Sequence, residues 1–490
     1  MNKELSKLAG ETVIYGVTTM TGRLLNWLLM PFYIRTVAPE EYGIVVNIYG
    51  ALTILLVIFT YGLETGFFRF ASKGNDSQKV YTTSLISLLI TSVLLIILSL
   101  IFSGPISNLI YQGNFQISIF LAGFIIAFDS FVSIPFAYLR LKNKALKFGA
   151  IKLLSIGVNI FFNFFFLLFI PYLINNNLLC YQLVELYNSA NGVLYILLSN
   201  AISSLSVLII FLPGLTFDFN YFDRLLLKDL LIYSWPVLLV GLTGMVIQNS
   251  EKILMPFLIS GDGFKELAVY GANFKIGVIM SLFTQSFRFA FEPYFFKKQG
   301  KELLSYARIM EYYIFFGVLI FLGVTLFIDI INYILTDEYI RGNIVIPVVL
   351  LSHLMYGIYF NLSLWYKLTD KTIYGAYFGI IGSVITIILN FIFIPLFGMV
   401  GGAFAMMGGY LVMVVLSYYV GSKIFPVPYN LLKIFITFFI AILSYLFDQG
   451  IKIDDLFYQY VFKGFIFVFN IGVFIFLNFS KVFKKTILND

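Results

Sequence analysis

The sequence is short of the residues that build soluble enzymes and metal sites. Charged residues make up 12% of the 490-residue chain, and it contains one cysteine, Cys180, and one histidine, His353. A single cysteine excludes an intramolecular disulfide and a thiol-ligated metal cluster. One histidine on its own gives no metal-binding motif. We therefore expect no metal and no cofactor.

Hydrophobic residues are what the chain has in excess. They make up 60% of the sequence, and the mean hydropathy is +0.93. Apolar runs of about 20 residues, the length that a bilayer demands, recur from end to end without the alternation of a β-barrel. These runs predict an all-α polytopic membrane protein with about 14 transmembrane helices. The predicted spans are 12–37, 43–68, 80–103, 115–139, 148–173, 191–213, 229–259, 267–291, 309–335, 344–366, 373–397, 400–421, 430–447 and 457–479.

The basic residues indicate topology rather than nucleic-acid binding. The net charge is +7, but the 32 lysines and arginines are scattered singly between apolar runs, so we expect no nucleic-acid partner. Most of them fall on one side if both termini are cytoplasmic. The segment between spans 4 and 5, for example, is assigned Arg140, Lys142, Lys144, Lys147 and Lys152. The outer side is assigned Arg35, Lys265, Arg341, Lys452 and Lys463.

The chain also contains an internal repeat. The tetrapeptide Leu29–Phe32 returns as Leu254–Phe257, and the Tyr42-Gly43 pair that follows it returns as Tyr270-Gly271. The order of features predicts parallel repeats, spans 1–6 and 7–12, which form two six-helix lobes followed by two C-terminal helices. The predicted domains are residues 1–215, 216–422 and 423–490. All predicted loops are short, which argues against a soluble catalytic domain, so we expect no enzyme.

Four segments carry a resemblance to a known family: Met30–Phe32, Pro39–Gly43, Gly62–Phe70 and Leu389–Ala403. They resemble the bacterial polysaccharide transporter family, which contains the O-antigen and capsule repeat-unit flippases. That family belongs to the multidrug/oligosaccharidyl-lipid/polysaccharide exporter superfamily.

The resemblance implies two lobes around a cavity and a function in surface polysaccharide assembly. The expected activity is transfer of an undecaprenyl-diphosphate-linked oligosaccharide across the bacterial inner membrane by alternating access. The expected partners are membrane lipids, the lipid-linked oligosaccharide, a polysaccharide polymerase and a chain-length regulator. A multidrug exporter and a lipid II flippase share the architecture and stay open as alternatives. A polytopic glycosyltransferase or polymerase is the alternative from a different class.

Three basic residues inside spans are candidates for holding the substrate diphosphate. Arg23 lies about 16 Å into span 1 at 1.5 Å per residue, where an unpaired charge is costly and should face water or a partner. Lys275 and Arg288 lie in span 8, where Glu292 is positioned to pair with Arg288 at i+4. By contrast, Glu251 and Lys252 are adjacent late in span 7, and we expect them to point to different faces as interfacial groups.

Intramembrane acids and amides complete the set of candidates. Asp129 and Glu64 are either sites for a coupling ion or charge partners of Arg23. Four amide side chains are candidates for contacts with sugar hydroxyls, or else for hydrogen bonds between helices. They are Gln248, Asn159, Asn163 and Asn390.

Overall fold

A computed structural model describes residues 3–72, 76–178, 184, 187, 191–215, 218–298, 303–451 and 453–487. Side chains are described in the same ranges apart from residues 3–15, 17, 19, 219, 292–294, 296–298 and 478–487. Cys180 and the side chain of Glu292 therefore lie outside the described set. Within it the chain is helical and contains no β-strand.

Helices dominate because a backbone crossing hydrocarbon must satisfy its hydrogen bonds within one segment. The helices are α1 Lys3–Thr36, α2 Pro39–Thr60, α3 Leu63–Ser72, α4 Ser77–Tyr111, α5 Gln116–Leu141, α6 Ala145–Phe164, α7 Ile170–Asn175, α8 Gly192–Phe211, α9 Arg224–Leu258, α10 Gly263–Gly277, α11 Ile279–Lys298, α12 Leu303–Leu326, α13 Ile328–Asn332, α14 Asp337–Ile340, α15 Val345–Leu362, α16 Leu364–Leu368, α17 Ile373–Ile424, α18 Leu431–Gly450 and α19 Leu456–Ile487.

Twelve stretches of the described chain are long and apolar enough to cross a membrane. One of them, α17, has 52 residues and would measure about 78 Å if straight, more than twice the bilayer thickness. It breaks at Gly398, where φ is 59° and ψ is −138°, and so contains two spans. Helix α1 precedes the twelve and covers the first predicted span. The prediction of an all-α polytopic membrane protein is confirmed.

Some predicted spans are interrupted in ways that hydropathy does not reveal. The second span divides into α2 and α3 at Tyr61 and Gly62, which both have positive φ. A Cβ on Gly62 would lie 2.8 Å from the carbonyl oxygen of Ser234, so glycine is required there for space as well as for conformation. The fifth span contains a π-helical turn, Phe165–Phe169. The eighth divides between α10 and α11.

By packing, the chain forms two compact units. The first contains residues 1–271 and 390–398, and the second contains residues 272–389 and 399–490. The division into lobes at 215/216 and 422/423 stays a prediction.

The first unit is built around α3, α4 and α5, whose buried side chains include Leu63, Phe67, Leu85 and Phe136. Helix α9 packs against this unit, with Leu230 fully buried in the same core.

In the second unit, α12 packs against α15, α18 and α19. Two ion pairs hold the C-terminal helices in place: Lys433 of α18 pairs with Glu311 of α12, and Lys463 of α19 pairs with Asp329 of α13 at 2.5 Å. The rings of Phe315 and Phe474 also stack across the interface between α12 and α19. The last two helices are thus fixed to this unit by charge as well as by apolar contact.

Candidate substrate-binding site

One face of α6 carries a stripe of polar side chains. Lys152, Ile156, Asn159 and Asn163 are spaced at i, i+4, i+7 and i+11, which places them above one another on a helix. Ile156, the apolar member, contacts Gly22 of α1, where an added Cβ would lie 2.7 Å from its Cδ1 atom. We call Lys152, Asn159 and Asn163 the α6 stripe.

Lys152 lies about 10 Å into α6 at 1.5 Å per residue and not in the loop before the helix. Its place within a helix agrees with the predicted span 148–173, although the topology count grouped Lys152 with the charges between spans 4 and 5. The Lys152 ammonium lies 4.2 Å from the centre of the Phe136 ring, and it interacts electrostatically with Asp129, Glu64 and Arg140.

Lys152 is nevertheless exposed. Its charged and aromatic neighbours belong to α3 and α5, so the side chain points into the helix bundle and not toward lipid.

The two candidate acids, Glu64 and Asp129, contact Arg140 and Ser204. Glu64 forms an ion pair with Arg140, and the Arg140 guanidinium also lies 5.0 Å from the centre of the Phe68 ring. Asp129 accepts a hydrogen bond of 2.8 Å from the hydroxyl of Ser204 in α8. Both acids are half-buried. The structure thus brings Glu64 and Asp129 together around Lys152, which sequence reasoning had not included.

Arg23 is exposed on α1, about 20 Å before the end of that helix at Thr36. It follows Gly22, the residue that contacts α6, so the α1 segment that carries Arg23 lies against the middle of the α6 stripe. The predicted role of Arg23 in holding a diphosphate stays a prediction.

The two asparagines of the stripe are hydrogen-bonded to each other. The Asn163 Nδ2 group donates to the carbonyl and side-chain oxygens of Asn159, at 2.8 and 3.2 Å. Asn163 is fully buried, and its own Oδ1 atom accepts no hydrogen bond from the described residues. Asn159 is half-buried.

An aromatic stack flanks the C-terminal part of α6 and the π-helical turn after it. Phe162, Phe166, Tyr195 and Tyr187 follow one another, and the rings of Tyr195 and Tyr187 are 4.8 Å apart at an angle of 10°. Tyr187 lies outside the spans, where burial and the neighbouring Tyr195 raise its pKa to about 12. The Tyr187 phenol therefore stays protonated and donates to the carbonyl of Phe166 at 2.9 Å.

The amides Gln248 and Asn390 lie in a second polar region of the first unit. Asn390 is buried and donates to Ser250 at 2.9 Å, and its Oδ1 atom accepts no hydrogen bond from the described residues. The main-chain carbonyl of Gln248 accepts from the Lys252 ammonium at 2.9 Å. Neither amide belongs to the α6 stripe.

The expectation that Glu251 and Lys252 are interfacial groups on different faces was wrong. Both are buried, and the Lys252 ammonium lies 3.8 Å from the Glu251 carboxylate. The ammonium also donates to the Oδ1 atom of Asn249, and Tyr270 donates to Glu251 at 3.2 Å. Asn249, three residues before Lys252, was the signal that could have revealed this buried site.

The second unit contains the other two candidate cations. Lys275 is half-buried in α10. Arg288 is exposed in α11, with its guanidinium 4.6 Å from the centre of the Phe360 ring. The expected Arg288–Glu292 pair lies outside the described side chains. Both cations stay predicted substrate contacts.

Helices α18 and α19 enclose an apolar groove of about 700 Å³ in the second unit. Its walls are formed mainly by leucine and phenylalanine, with one polar residue, Ser444. The lining includes Leu443, Leu446, Phe447, Phe462, Phe465 and Phe469. Such a surface suits a hydrocarbon chain.

The chain matches a known family over more than half of its length. The family described as "Polysaccharide biosynthesis protein" matches residues 8–299. No curated protein sequence matches at a significant level.

Solved structures of transporters share the fold. The lipid II flippase MurJ in its inward closed conformation is similar with a TM-score of 0.70 at 14% identity, over 96% of this chain and 100% of that one. An inward-facing multidrug resistance MATE family transporter of the MOP superfamily gives 0.60 at 15% identity, over 82% and 94%. A MOP superfamily transporter from Pyrococcus furiosus gives 0.58 at 15%, over 84% and 95%. At these identities the likeness establishes the fold.

Proposed function

Because the chain belongs to the family of polysaccharide biosynthesis proteins, we propose that it is a flippase for undecaprenyl-diphosphate-linked oligosaccharides. It moves repeat units across the bacterial cytoplasmic membrane by alternating access, for O-antigen, capsule or exopolysaccharide assembly. Both termini lie in the cytoplasm, as the distribution of basic residues predicts.

The observation that carries the proposal is Arg23, an exposed arginine deep in α1, next in sequence to Gly22, which contacts Ile156 of α6. A charge at this depth costs at least about 2.5–3.5 kcal/mol on insertion scales, so it needs a compensating function or partner. A guanidinium fork matches phosphate oxygens in geometry and charge. An anionic lipid carrier therefore fits this site better than a cationic drug does.

The apolar groove between α18 and α19 is a second argument for a substrate with a lipid chain. A polyprenyl chain must stay in an apolar environment while its head group crosses, and this groove is lined by leucine and phenylalanine side chains. The acids Asp129 and Glu64, which would favour a drug exporter, already contact Ser204 and Arg140.

The test is transport by the purified protein in proteoliposomes. The probe is a fluorescent undecaprenyl-diphosphate-linked oligosaccharide, and translocation is read from its accessibility to an impermeant glycosidase. We expect wild-type translocation, a loss of at least tenfold in Arg23→Gln, and partial activity in Arg23→Lys. Arg35→Gln is the matched control, because Arg35 is exposed in the last turn of the same helix.

Parallel probes separate the alternatives. Faster movement of lipid II would indicate a lipid II flippase, and export of a cationic dye without glycolipid transport would indicate a drug exporter. Lengthening of the probe glycan would indicate a polymerase or glycosyltransferase. Equal transport by wild-type and Arg23→Gln protein would show that Arg23 does not bind the substrate diphosphate.

A further inference from the structure

The aromatic stack beside α6 ends at Tyr187, next to the first turn of α8. The Tyr187 and Tyr195 rings lie nearly parallel with their centres 4.8 Å apart, and the Phe166 ring stacks on Tyr195 at 5.5 Å. Among the described residues no further ring stacks on Tyr187, and Tyr187 is half-buried. The stack therefore ends in a tyrosine ring that is partly open to solvent.

The backbone of the π-helical turn fixes the orientation of the Tyr187 ring. The N–H group of Ile170 donates to the carbonyl of Phe165, and the next residue, Pro171, has no N–H group to offer Phe166. The Tyr187 hydroxyl donates to this Phe166 carbonyl at 2.9 Å. Because both its hydroxyl and its ring are held, Tyr187 loses little conformational entropy when a ligand packs against it.

Two polar side chains lie at the same turn of α8. Asn191 precedes Tyr195 by four residues, the spacing that places two side chains on one face, and its side chain does not cap its own helix. The Glu41 Oε2 atom accepts a hydrogen bond of 3.3 Å from the N–H group of Gly192, the first residue of α8. The Glu41 Oε1 atom accepts none from the described residues. An amide and a carboxylate oxygen thus lie at the helical turn on which the tyrosine stack ends.

This combination of groups suits a carbohydrate. One face of a pyranose ring carries C–H groups that are apolar and weakly positive, and the face of an aromatic ring is negative. The sugar hydroxyls both donate and accept hydrogen bonds, as amide and carboxylate groups require. A hydrocarbon chain would leave Asn191 and Glu41 without partners, and a phosphate would be repelled by Glu41.

We infer that Tyr187, Asn191 and Glu41 form a sugar-binding subsite at the outer end of the first unit. Tyr187 supplies the stacking face, and Asn191 and Glu41 supply hydrogen bonds to hydroxyls. With both termini in the cytoplasm, Tyr187 lies on the outer side of the membrane, between α7 and α8. In its link to transport the inference rests on the proposed function, and it adds a site that binds the glycan on the side where it arrives.

The test measures sugar binding without transport, by saturation-transfer difference NMR on the full-length protein in detergent. The probes are the methyl glycosides of glucose, galactose, mannose, rhamnose and N-acetylglucosamine. We expect saturation of the ring C–H protons of at least one probe. In Tyr187→Leu this signal should fall about three- to tenfold, because a stacking contact is lost, whereas Tyr187→Phe should retain it. Tyr172→Leu is the matched control, since Tyr172 of α7 is exposed and lies outside the stack.

Asn191→Ala is a second variant that leaves the aromatic stack unchanged. It should lower the signal about threefold, because the sugar loses its hydrogen bonds to the amide. Thermal unfolding of each variant in detergent shows whether it is folded. If Tyr187→Leu does not fold, Asn191→Ala decides, and a wild-type signal from that variant overturns the subsite.

The outcomes separate the subsite from the proposed function. If no probe gives a signal with wild-type protein, or if folded Tyr187→Leu keeps the wild-type signal, the subsite is wrong and the flippase proposal stands. An equal loss in Tyr172→Leu and Tyr187→Leu would show that sugars bind to exposed tyrosines in general, which also overturns the subsite. If the sugars bind as expected but wild-type protein moves no lipid-linked oligosaccharide, only the proposed function has failed.

Discussion

The Asn47 side chain in α2 donates a hydrogen bond to the main-chain carbonyl of Lys252 in α9, at 2.8 Å. Tyr111 of α4 donates in turn to the Oδ1 atom of Asn47 at 2.5 Å. The sequence repeat assigns α2 to the first predicted lobe and α9 to the second. This hydrogen bond therefore joins the two repeats inside one compact unit.

Replacing Asn47 by leucine should destabilise the protein. The substitution removes three hydrogen bonds, to the main-chain carbonyls of Lys252 and Ile253 and from Tyr111. It leaves the hydroxyl of Tyr111 without its acceptor, which costs about 1–3 kcal/mol for a buried polar group. We expect a lower Tm in detergent for Asn47→Leu than for the wild type. Tyr111→Phe removes one bond without leaving a hydroxyl unpaired, so its Tm should fall less. A Tm of Asn47→Leu equal to the wild-type value would contradict this account.

A disulfide between positions 46 and 271 should stop transport. A Cβ on Gly271 would lie 3.4 Å from the Cβ of Val46, close to the separation of about 3.5–4.5 Å found in disulfides. In a Cys180→Ala background, Val46→Cys with Gly271→Cys should form the bond under mild oxidation and lose transport. Reduction should restore transport.

The two single-cysteine variants are the controls for this cross-link, and mass spectrometry reports whether the bond has formed. Full transport by the oxidised double variant would mean that α2 and α10 stay together throughout the cycle.

Gly398→Ala should reduce stability more than an ordinary glycine replacement. At φ 59° and ψ −138°, Gly398 has a backbone conformation that costs other residues about 1–3 kcal/mol. Gly464→Ala is the matched control, because Gly464 is helical with open space around it and alanine favours helix. Fluorescence-detected size-exclusion chromatography after heating should show a loss of folded protein only for Gly398→Ala. Equal behaviour of the two variants would argue against strain at this position.

The pair of Lys433 and Glu311 should behave as a coupled unit in a double-mutant cycle. Both side chains are largely buried, so Lys433→Met leaves the Glu311 carboxylate uncompensated and should cost about 3–5 kcal/mol. Glu311→Gln combined with Lys433→Met should recover much of that loss. Thermal unfolding of the four proteins measures the coupling, and purely additive effects would show that the pair contributes nothing specific.

The spans were predictable because the bilayer sets the length of an apolar helix independently of its neighbours. The local breaks were not, since the positive φ of Tyr61 and the π-helical turn at Phe165–Phe169 depend on packing and leave hydropathy unchanged. The pairing of basic residues near span ends was not predictable either. Lys463, assigned to the outer side, is buried in α19 against Asp329.

The charge partners of the candidate site were beyond sequence reasoning. Glu64 pairs with Arg140 across a separation of 76 residues, which no local spacing predicts. The sequence predicted part of the α6 stripe, since Asn159 and Asn163 were identified as polar side chains in a span. Lys152 was counted only as a topology charge, although it lies inside the predicted span 148–173.

The break at Gly398 also bears on how the protein enters the membrane during synthesis. Between Lys371 and Lys423 the chain contains no charged residue, and the two halves of α17 meet at the glycine with no loop between them. Neither half carries a flanking charge at their junction that could orient it separately. We therefore expect the insertion machinery to receive them together, as one helical hairpin whose orientation is set by the lysines at its two ends.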